Sequence, residues 1–149
     1  MREILFRAKA INRIKGREYR TSYKNGDWVY GLVTKMYDDR FPNLPATMRN
    51  TDGVSNIDVD YKSIGQYTGL TDKNGKKIFE GDIVKYKNTS PCFECLTVTL
   101  NKPCKIAYIN SQFVMAWKNF YRNFEQVYDD EIEVIGNIHD NPELLEVQK

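Results

Sequence analysis

Short runs of apolar, β-branched and aromatic residues alternate with turn-forming residues along the whole chain. In the first third, runs at residues 7–14, 18–23 and 28–34 are separated by Lys15-Gly16 and by Asn25-Gly26-Asp27. Asn-Gly is a strong hairpin signal, because both residues tolerate the positive φ that a primed turn requires. The pattern predicts an antiparallel β-meander for this region.

The centre of the chain has the clearest hairpin pattern. Two β-favouring runs flank Asp72-Lys73-Asn74-Gly75, whose glycine suits the left-handed position of a turn with a bulge. Glu80-Gly81-Asp82 predicts a second tight turn. The strand predicted at residues 83–87 then alternates between apolar and basic side chains from Val84 onward, as a half-exposed strand does.

The remaining predicted elements are short. Strands are predicted at residues 46–49, 54–59, 96–100, 104–109, 112–117 and 132–139. Asn141-Pro142-Glu143 has the features of a helix start, with a cap residue, a proline at the first helical position and an acid in the first turn. Residues 63–66 and 117–124 are two further places for a short helical piece.

These elements predict a mainly β fold, an antiparallel barrel or sandwich-like meander of short strands with one or two short helices. No long helices alternate with the strands, which disfavours a parallel α/β fold. A length of 149 residues suits a single domain over residues 1–149. The loops at 38–53 and 88–104 either belong to this domain or form a small lobe on it.

Composition supports the fold class and limits the kind of protein. Apolar residues make up 41% of the chain and charged residues 28%, as in an ordered globular protein. The 10 Tyr, 7 Phe and 2 Trp fit a half-buried pleated surface. No stretch approaches the roughly 18 apolar residues of a membrane-spanning helix, and the start at Arg2 and Glu3 is unlike an export signal. We expect a cytoplasmic protein without membrane contact.

Charge is distributed unevenly, although the formal net charge is only +2. Residues 1–24 carry eight Lys/Arg against two acids, and residues 125–149 carry eight acids against one Lys. Such asymmetry is typical of a basic nucleic-acid arm combined with an acidic tail. Alternatively, the two ends lie side by side in the fold, or between subunits, and partly neutralise each other.

The cysteines and the single histidine offer one candidate metal site. Cys92 and Cys95 have the two-residue spacing of a zinc knuckle, Cys104 would add a third ligand, and His139 would supply the fourth from a distant strand. A close second pair of ligands is absent. An odd number of cysteines without an export signal indicates free thiols. We expect no metal and no other cofactor.

Catalytic patterns are weak. A Cys-His or Ser-His mechanism would depend on His139, and no nucleophile motif accompanies it. Asp58 with Asp60, and Glu80 with Asp82, are acid pairs that suit a divalent cation, but such pairs are common on solvated strands. Walker, Rossmann and zincin signatures are absent. We expect no enzymatic activity and assign no catalytic residue.

The basic N-terminal strands are a candidate nucleic-acid site. They combine cations for phosphates with rings for base stacking, as single-strand grooves do. The candidate residues are Arg7, Lys9, Arg13, Arg17, Arg20, Tyr23 and Trp28. Against this interpretation, half of the rings in a small β protein must fill its core. The near-neutral total charge is also unlike that of most dedicated nucleic-acid binders.

Three segments carry motifs of a known family. They are residues 2–8 (REILFRA), 64–84 (IGQYTGLTDKNGKKIFEGDIV) and 133–145 (EVIGNIHDNPELL). With these segments the chain resembles the YopX family of phage and prophage proteins, although Lys9 stands where the family commonly has an aromatic residue. The resemblance implies a mainly β scaffold encoded by a phage or an integrated element, with no assigned activity, cofactor or catalytic residue. It does not extend to the variable loops at 38–53 and 88–104.

The leading hypothesis is a phage or prophage accessory protein that acts without catalysis, through contacts with an unknown protein of host or phage. It follows from exposed strand edges, many aromatic residues and the lack of a convincing catalytic set. The protein acts alone or as a homo-oligomer. The alternative is a nucleic-acid-binding β module that uses the basic, aromatic N-terminal strands.

Overall fold

The structure is a computed structural model that describes residues 3–11, 23–36, 45–51, 56–86, 103–117, 120–124 and 131–146. Short antiparallel strands dominate these ranges. The elements are β1 (Phe6–Lys9), β2 (Trp28–Lys35), β3 (Ala46–Asn50), β4 (Asn56–Val59), a 3-10 turn (Tyr61–Ser63), β5 (Gly65–Thr71), β6 (Lys77–Phe79), β7 (Asp82–Tyr86), β8 (Pro103–Ile109), β9 (Gln112–Trp117), β10 (Phe120–Asn123), β11 (Ile132–Asn137) and α1 (Glu143–Glu146). In the part of the chain that is described, no helix has the length and apolar character needed to cross a membrane.

The chain divides into two compact units, residues 1–67 and 68–149, and the boundary falls within β5. In the first unit the sheet has the strand order β4-β3-β2-β1-β5. It curls, because the end of β1 also meets β4: Ala10 bridges Val59, and the N–H of Ile11 donates to the carbonyl of Asp58 at 2.8 Å. Small side chains suit the concave side of such a sheet, where strands approach closely. Its core consists of Ala8, Ala10, Val29, Ala46, Met48, Ile57 and Val59.

The second unit has its own sheet and its own core. The strand order is β10-β9-β8-β7-β11, and helix α1 lies against β8. A Cβ at Gly136 of β11 would lie 2.6 Å from Asn141 Oδ1, so glycine lets the start of α1 approach this strand. The core residues are Ile78, Val84, Tyr86, Cys104, Ile106, Met115 and Ile132.

Two turns in the second unit require residues at positive φ, and only one of the two has a glycine there. In the predicted turn before β6, Gly75 has a φ of +77° and its N–H donates to the carbonyl of Asp72 at 2.9 Å, which confirms the hairpin. The turn between β8 and β9 has no glycine. Asn110 and Ser111 adopt φ values of 50° and 64° there, a conformation that costs energy for residues with a Cβ.

The predicted fold class is confirmed, since the described residues form two antiparallel sheets of short strands and one short helix. The strands predicted at 28–34, 46–49, 54–59, 104–109, 112–117 and 132–139 correspond to β2, β3, β4, β8, β9 and β11. The helical piece considered at 117–124 is wrong, because Phe120–Asn123 pairs with the edge of β9 as strand β10. The other helical piece ends earlier than expected, at Ser63, because Gly65 already begins β5.

Several predictions fall on parts of the chain that are not described. They are the Lys15-Gly16 turn, most of the strand at 18–23, the strand at 96–100, and most of the loops at 38–53 and 88–104.

Candidate functional site

The sheet of the first unit has a second face, opposite its core, where basic and large apolar side chains meet. Side chains alternate along a strand, so Trp28, Tyr30 and Leu32 of β2 point to one side, while Val29 and Gly31 point to the buried side. The pairing register places three cations on the same side as the rings. We call this set the basic face: Arg7, Lys9, Trp28, Tyr30, Leu32 and Arg49.

Each of the three β2 side chains on the basic face has a cation directly opposite on a neighbouring strand. In β1, Lys9 is paired with Trp28 and Arg7 with Tyr30. In β3, Arg49 is paired with Leu32. Because directly opposite Cβ atoms in antiparallel strands are about 4.5–5.5 Å apart, every large side chain of this row has a positive charge beside it.

Trp28 organises the part of the basic face next to β1. Cζ of Arg7 lies 4.6 Å from the centroid of the indole ring, and Nζ of Lys9 lies 4.9 Å from it. Such cation–π contacts contribute about 0.5–2 kcal/mol, more when they are desolvated. Arg7 is only 5% exposed and Trp28 is half-buried, so here the cations are engaged on the ring.

The part of the basic face next to β3 is open to solvent. Tyr30 is 40% exposed and Leu32 is 52% exposed, with the exposed Arg49 opposite Leu32. Aromatic residues and Arg around an apolar side chain are the composition of protein-interface centres. Within strands β1–β4 the single carboxylate is Asp58, which the pairing with Thr47 places on this side. The basic face therefore combines apolar contact area with positive charge.

Backbone and side-chain contacts fix the β1 end of this face. The hydroxyl of Ser63, which is buried, accepts from the N–H of Lys9 at 2.7 Å and donates to the carbonyl of Asp60 at 2.7 Å. Asp60 also caps the 3-10 turn by accepting from the N–H of Lys62 at 3.0 Å. The 3-10 turn thus holds Lys9 in register beside Trp28.

The approach of β2 to β3 depends on a glycine. A Cβ built on Gly31 would lie 1.8 Å from the backbone oxygen of Arg49, which is far inside contact distance. Glycine therefore allows β3 to pack close enough for Arg49 to stand beside Leu32.

The structure brings together three of the seven residues predicted for nucleic-acid binding. Arg7, Lys9 and Trp28 lie side by side on the basic face. Tyr23 does not join them, because it packs against the core cluster on the other side of the sheet. The remaining candidates, Arg13, Arg17 and Arg20, lie outside the described residues.

Three members of the basic face were not among the candidate residues from the sequence: Tyr30, Leu32 and Arg49. The alternation of β2 was a sufficient signal for the first two, since Trp28, Tyr30 and Leu32 are two residues apart. For Arg49 no local signal existed. Its place depends on the register between β2 and β3, which a loop separates in sequence.

The candidate metal ligands lie in the second unit or fall outside the described residues. Cys104 is buried in the core of the second unit, and burial raises the pKa of its thiol to about 11, which disfavours the thiolate that binds metals. Cys92 and Cys95 lie outside the described residues. His139 lies in an exposed turn, where its backbone N–H donates to Asn137 Oδ1 at 3.0 Å. Among the described residues, no three His, Cys, Asp or Glu side chains are grouped to hold a metal.

Two of the four acids considered as cation ligands, Asp60 and Asp82, accept backbone hydrogen bonds that hold turns. Asp60 caps the 3-10 turn, and Asp58 lies half-buried in β4. Asp82 is 1% exposed and accepts from the N–H of Phe79 at 2.8 Å, which closes the turn at Glu80.

The second unit also exposes two aromatic residues whose direct partners on the described neighbouring strands are not cations. Tyr108 is 52% exposed and stacks edge-on against Phe113, its direct partner on β9. Tyr121 on β10 is 53% exposed and is opposite Ala116. These two tyrosines are useful controls for the basic face.

The chain is similar to known proteins in its sequence and to a solved structure. The sequence matches the family described as YopX protein over residues 14–146, a range that contains the central and C-terminal motifs but not the opening motif at 2–8. The chain is also similar to a solved crystal structure, protein EF1440 from Enterococcus faecalis, with 28% identity, coverage of 96% of this chain and 98% of that chain, and a TM-score of 0.49. No curated protein matches at a significant level. The match to the family model covers most of the chain, and the chain therefore belongs to the YopX protein family.

Proposed function

We propose that this protein is a non-enzymatic interaction module, which binds a protein of the host or of the phage through the basic face. The family resemblance supports a phage or prophage accessory role. We also propose a cytoplasmic location, as the sequence predicts.

The observation that carries this proposal is the exposed pair Tyr30 and Leu32, with Arg49 directly opposite Leu32. An isolated exposed apolar side chain is ordinary, but neighbouring ones on a rigid strand form a patch that a partner covers with a gain in free energy. Tyr and Arg are also the residue types that carry most binding energy in protein interfaces.

The same geometry favours a protein partner over a nucleic acid. Base stacking needs an open ring face, and the indole of Trp28 already carries Arg7 and Lys9. Arg7 is buried, so it is not presented to a phosphate. Leu32 offers apolar contact but no ring for stacking.

Affinity capture from host cells in which the phage is induced tests the proposal. The full chain is compared with a Tyr30→Ser/Leu32→Ser variant, and bound proteins are quantified by mass spectrometry. We expect the variant to retain its partner at least about tenfold less than the unchanged chain, since interface hot spots contribute about 2 kcal/mol or more each.

The matched control is Tyr108→Ser/Tyr121→Ser, which removes two rings of the second unit that are at least as exposed as Tyr30 and Leu32. It should capture the partner as the unchanged chain does. Thermal unfolding verifies that both variants fold. Equal capture by the Tyr30→Ser/Leu32→Ser variant would refute the role of the basic face.

A nucleic-acid ligand at the same face is the second candidate function. It is favoured by the surplus of cations over the single carboxylate Asp58 in strands β1–β4, and by the exposed ring of Tyr30. Its test is the salt dependence of binding to single-stranded DNA, because phosphate contacts supply most of such affinity.

A further inference from the structure

The outer edge of strand β11 is covered by a turn of the same unit. β11 is the last strand of the second sheet, and β7 pairs with one side of it. On the other side, the N–H of Lys73 donates to the carbonyl of Ile132 at 2.9 Å, and the N–H of Val134 donates to Asp72 Oδ2 at 3.0 Å. The turn at residues 72–75, which we call the edge cap, thus occupies backbone groups that would otherwise be open to a further strand.

The two bonds of the edge cap reproduce the pattern of a parallel β-bridge. In such a bridge, one residue donates to the carbonyl before its partner and accepts from the N–H after it. Lys73 donates in this way before Glu133, and the carboxylate of Asp72 accepts after it. The ammonium of Lys73 also forms an ion pair with the carboxylate of Glu133. The edge cap therefore takes the place of a neighbouring strand at this point of the sheet.

The edge cap also has bonds of its own that do not involve β11. Asp72 Oδ1 accepts from the N–H groups of Asn74 at 2.8 Å and Lys76 at 2.9 Å, and the N–H of Gly75 donates to the carbonyl of Asp72 at 2.9 Å. The turn therefore does not need its contact with β11 to keep its shape. Its second carboxylate oxygen is directed at the strand edge as a separate contact.

The covered backbone groups would suit the same strand of a second copy. In an antiparallel bridge between two identical strands, the carbonyl of Ile132 accepts from the N–H of Val134 of the other copy, and symmetry supplies the reverse bond. This bridge places the two Glu133 side chains directly opposite each other, where like charges are destabilising. In the folded chain that carboxylate is paired with Lys73 instead.

We propose that the edge cap keeps β11 of one copy of this chain from pairing with β11 of a second copy. The charge of Glu133 is a second barrier to the same association. A second copy is the excluded occupant because the two backbone groups under the edge cap are complementary to themselves across a two-fold axis. The device lies within the second unit and does not depend on the proposed function of the basic face.

Sedimentation velocity of the full chain tests the inference with Asp72→Asn/Glu133→Thr. The asparagine keeps one acceptor for the turn but directs a donor at the N–H of Val134, and the threonine removes the like charge. We expect this variant to self-associate at least about tenfold more tightly than the unchanged chain, because a second copy satisfies the uncovered groups. Adding Val134→Pro should abolish the increase, since proline lacks the N–H on the outer side of the strand.

A second variant removes the other bond of the edge cap and leaves Asp72 in place. Lys73→Pro/Glu133→Thr lacks the N–H that bonds to Ile132, and proline is favoured at this position of a turn. It should self-associate at least about threefold more tightly than the unchanged chain, because only one of the two bonds is lost. This variant decides the inference even if Asp72→Asn prevents folding.

Asp27→Asn/Glu143→Thr is the matched control, because it removes the same two charges elsewhere. Asp27 likewise accepts from a backbone N–H in a turn, that of Lys24 at 2.8 Å, and Glu143 is exposed. It should associate as the unchanged chain does, and circular dichroism verifies that each variant folds. Folded uncapped variants that associate no more tightly than the unchanged chain, or an increase that persists with Val134→Pro or appears in the control, would overturn the inference.

Discussion

At the scale of single residues, Asp72 is the carboxylate that connects two distant parts of the second unit. It is 4% exposed, and Oδ1 accepts from the N–H groups of Asn74 at 2.8 Å and Lys76 at 2.9 Å. Oδ2 accepts from the N–H of Val134 in β11 at 3.0 Å. Burial alone would raise the pKa of Asp72. The three N–H donors and the Lys76 ammonium outweigh burial and hold the pKa below its usual value.

We expect Asp72→Asn to lower the free energy of unfolding at neutral pH by about 2–3 kcal/mol, because the amide turns a donor toward a backbone donor and removes the charge. The folded pKa lies below the unfolded value near 3.8. The stabilisation is therefore present above that value and is lost as the pH falls through the folded pKa. Urea unfolding at neutral and at acidic pH should show the difference between the two chains shrinking in acid. Asp58→Asn, on a half-buried strand position, is the control and should change stability little.

At the scale of elements, the β8–β9 hairpin contains a correctable strain. Ser111 holds a φ of 64°, which glycine adopts without steric cost, and Asn-Gly is the preferred pair for such a turn. We expect Ser111→Gly to raise the free energy of unfolding by about 0.5–1 kcal/mol, part of the gain being offset by the greater freedom of glycine in the unfolded chain. Chemical denaturation measures this.

The same exchange at Ser63 should act in the opposite direction, because its buried hydroxyl bonds to Lys9 and Asp60. A Ser111→Gly chain that unfolds more easily than the unchanged chain would show that the turn is not strained.

Elements that depend on adjacent residues were predictable, and those that depend on distant pairing were not. The hairpin around Gly75 was predictable, because the residues of the turn itself determine it. The segment of strand β10 was considered as a place for a short helical piece, because its identity as a strand depends on the edge of β9, with Tyr121 opposite Ala116. The tie between Asp72 and Val134 spans 62 positions and has no local signal.

In the candidate site, too, local features were predictable from the sequence and features that depend on distant strands were not. The sequence identified the basic and aromatic character of β1 and β2, and Arg7, Lys9 and Trp28 do meet. It gave no indication that Arg7 is buried or that Tyr23 packs on the core side, because burial depends on the curl of the sheet. Periodicity separates the two faces of a strand but does not say which face a neighbouring strand will cover.

At the scale of the whole molecule, charge distinguishes a protein partner from a nucleic acid. The formal net charge is +2, and the acids of residues 125–149 balance the bases of residues 1–24. Nucleic-acid affinity is supplied mainly by phosphate contacts, each of which changes the slope of log affinity against log salt by about 0.7 for single strands. A module with few exposed cations should therefore bind single-stranded DNA weakly, and only at low salt.

We expect fluorescence anisotropy to detect no binding of a labelled single-stranded oligonucleotide at physiological salt. At low salt any binding should have a shallow slope, reflecting one or two phosphate contacts at most. Lys9→Ser should then change it little, because the ammonium of Lys9 lies over the indole of Trp28. Tight binding at physiological salt with a steep slope, lost in both Lys9→Ser and Arg49→Glu, would instead make nucleic acid the ligand of the basic face.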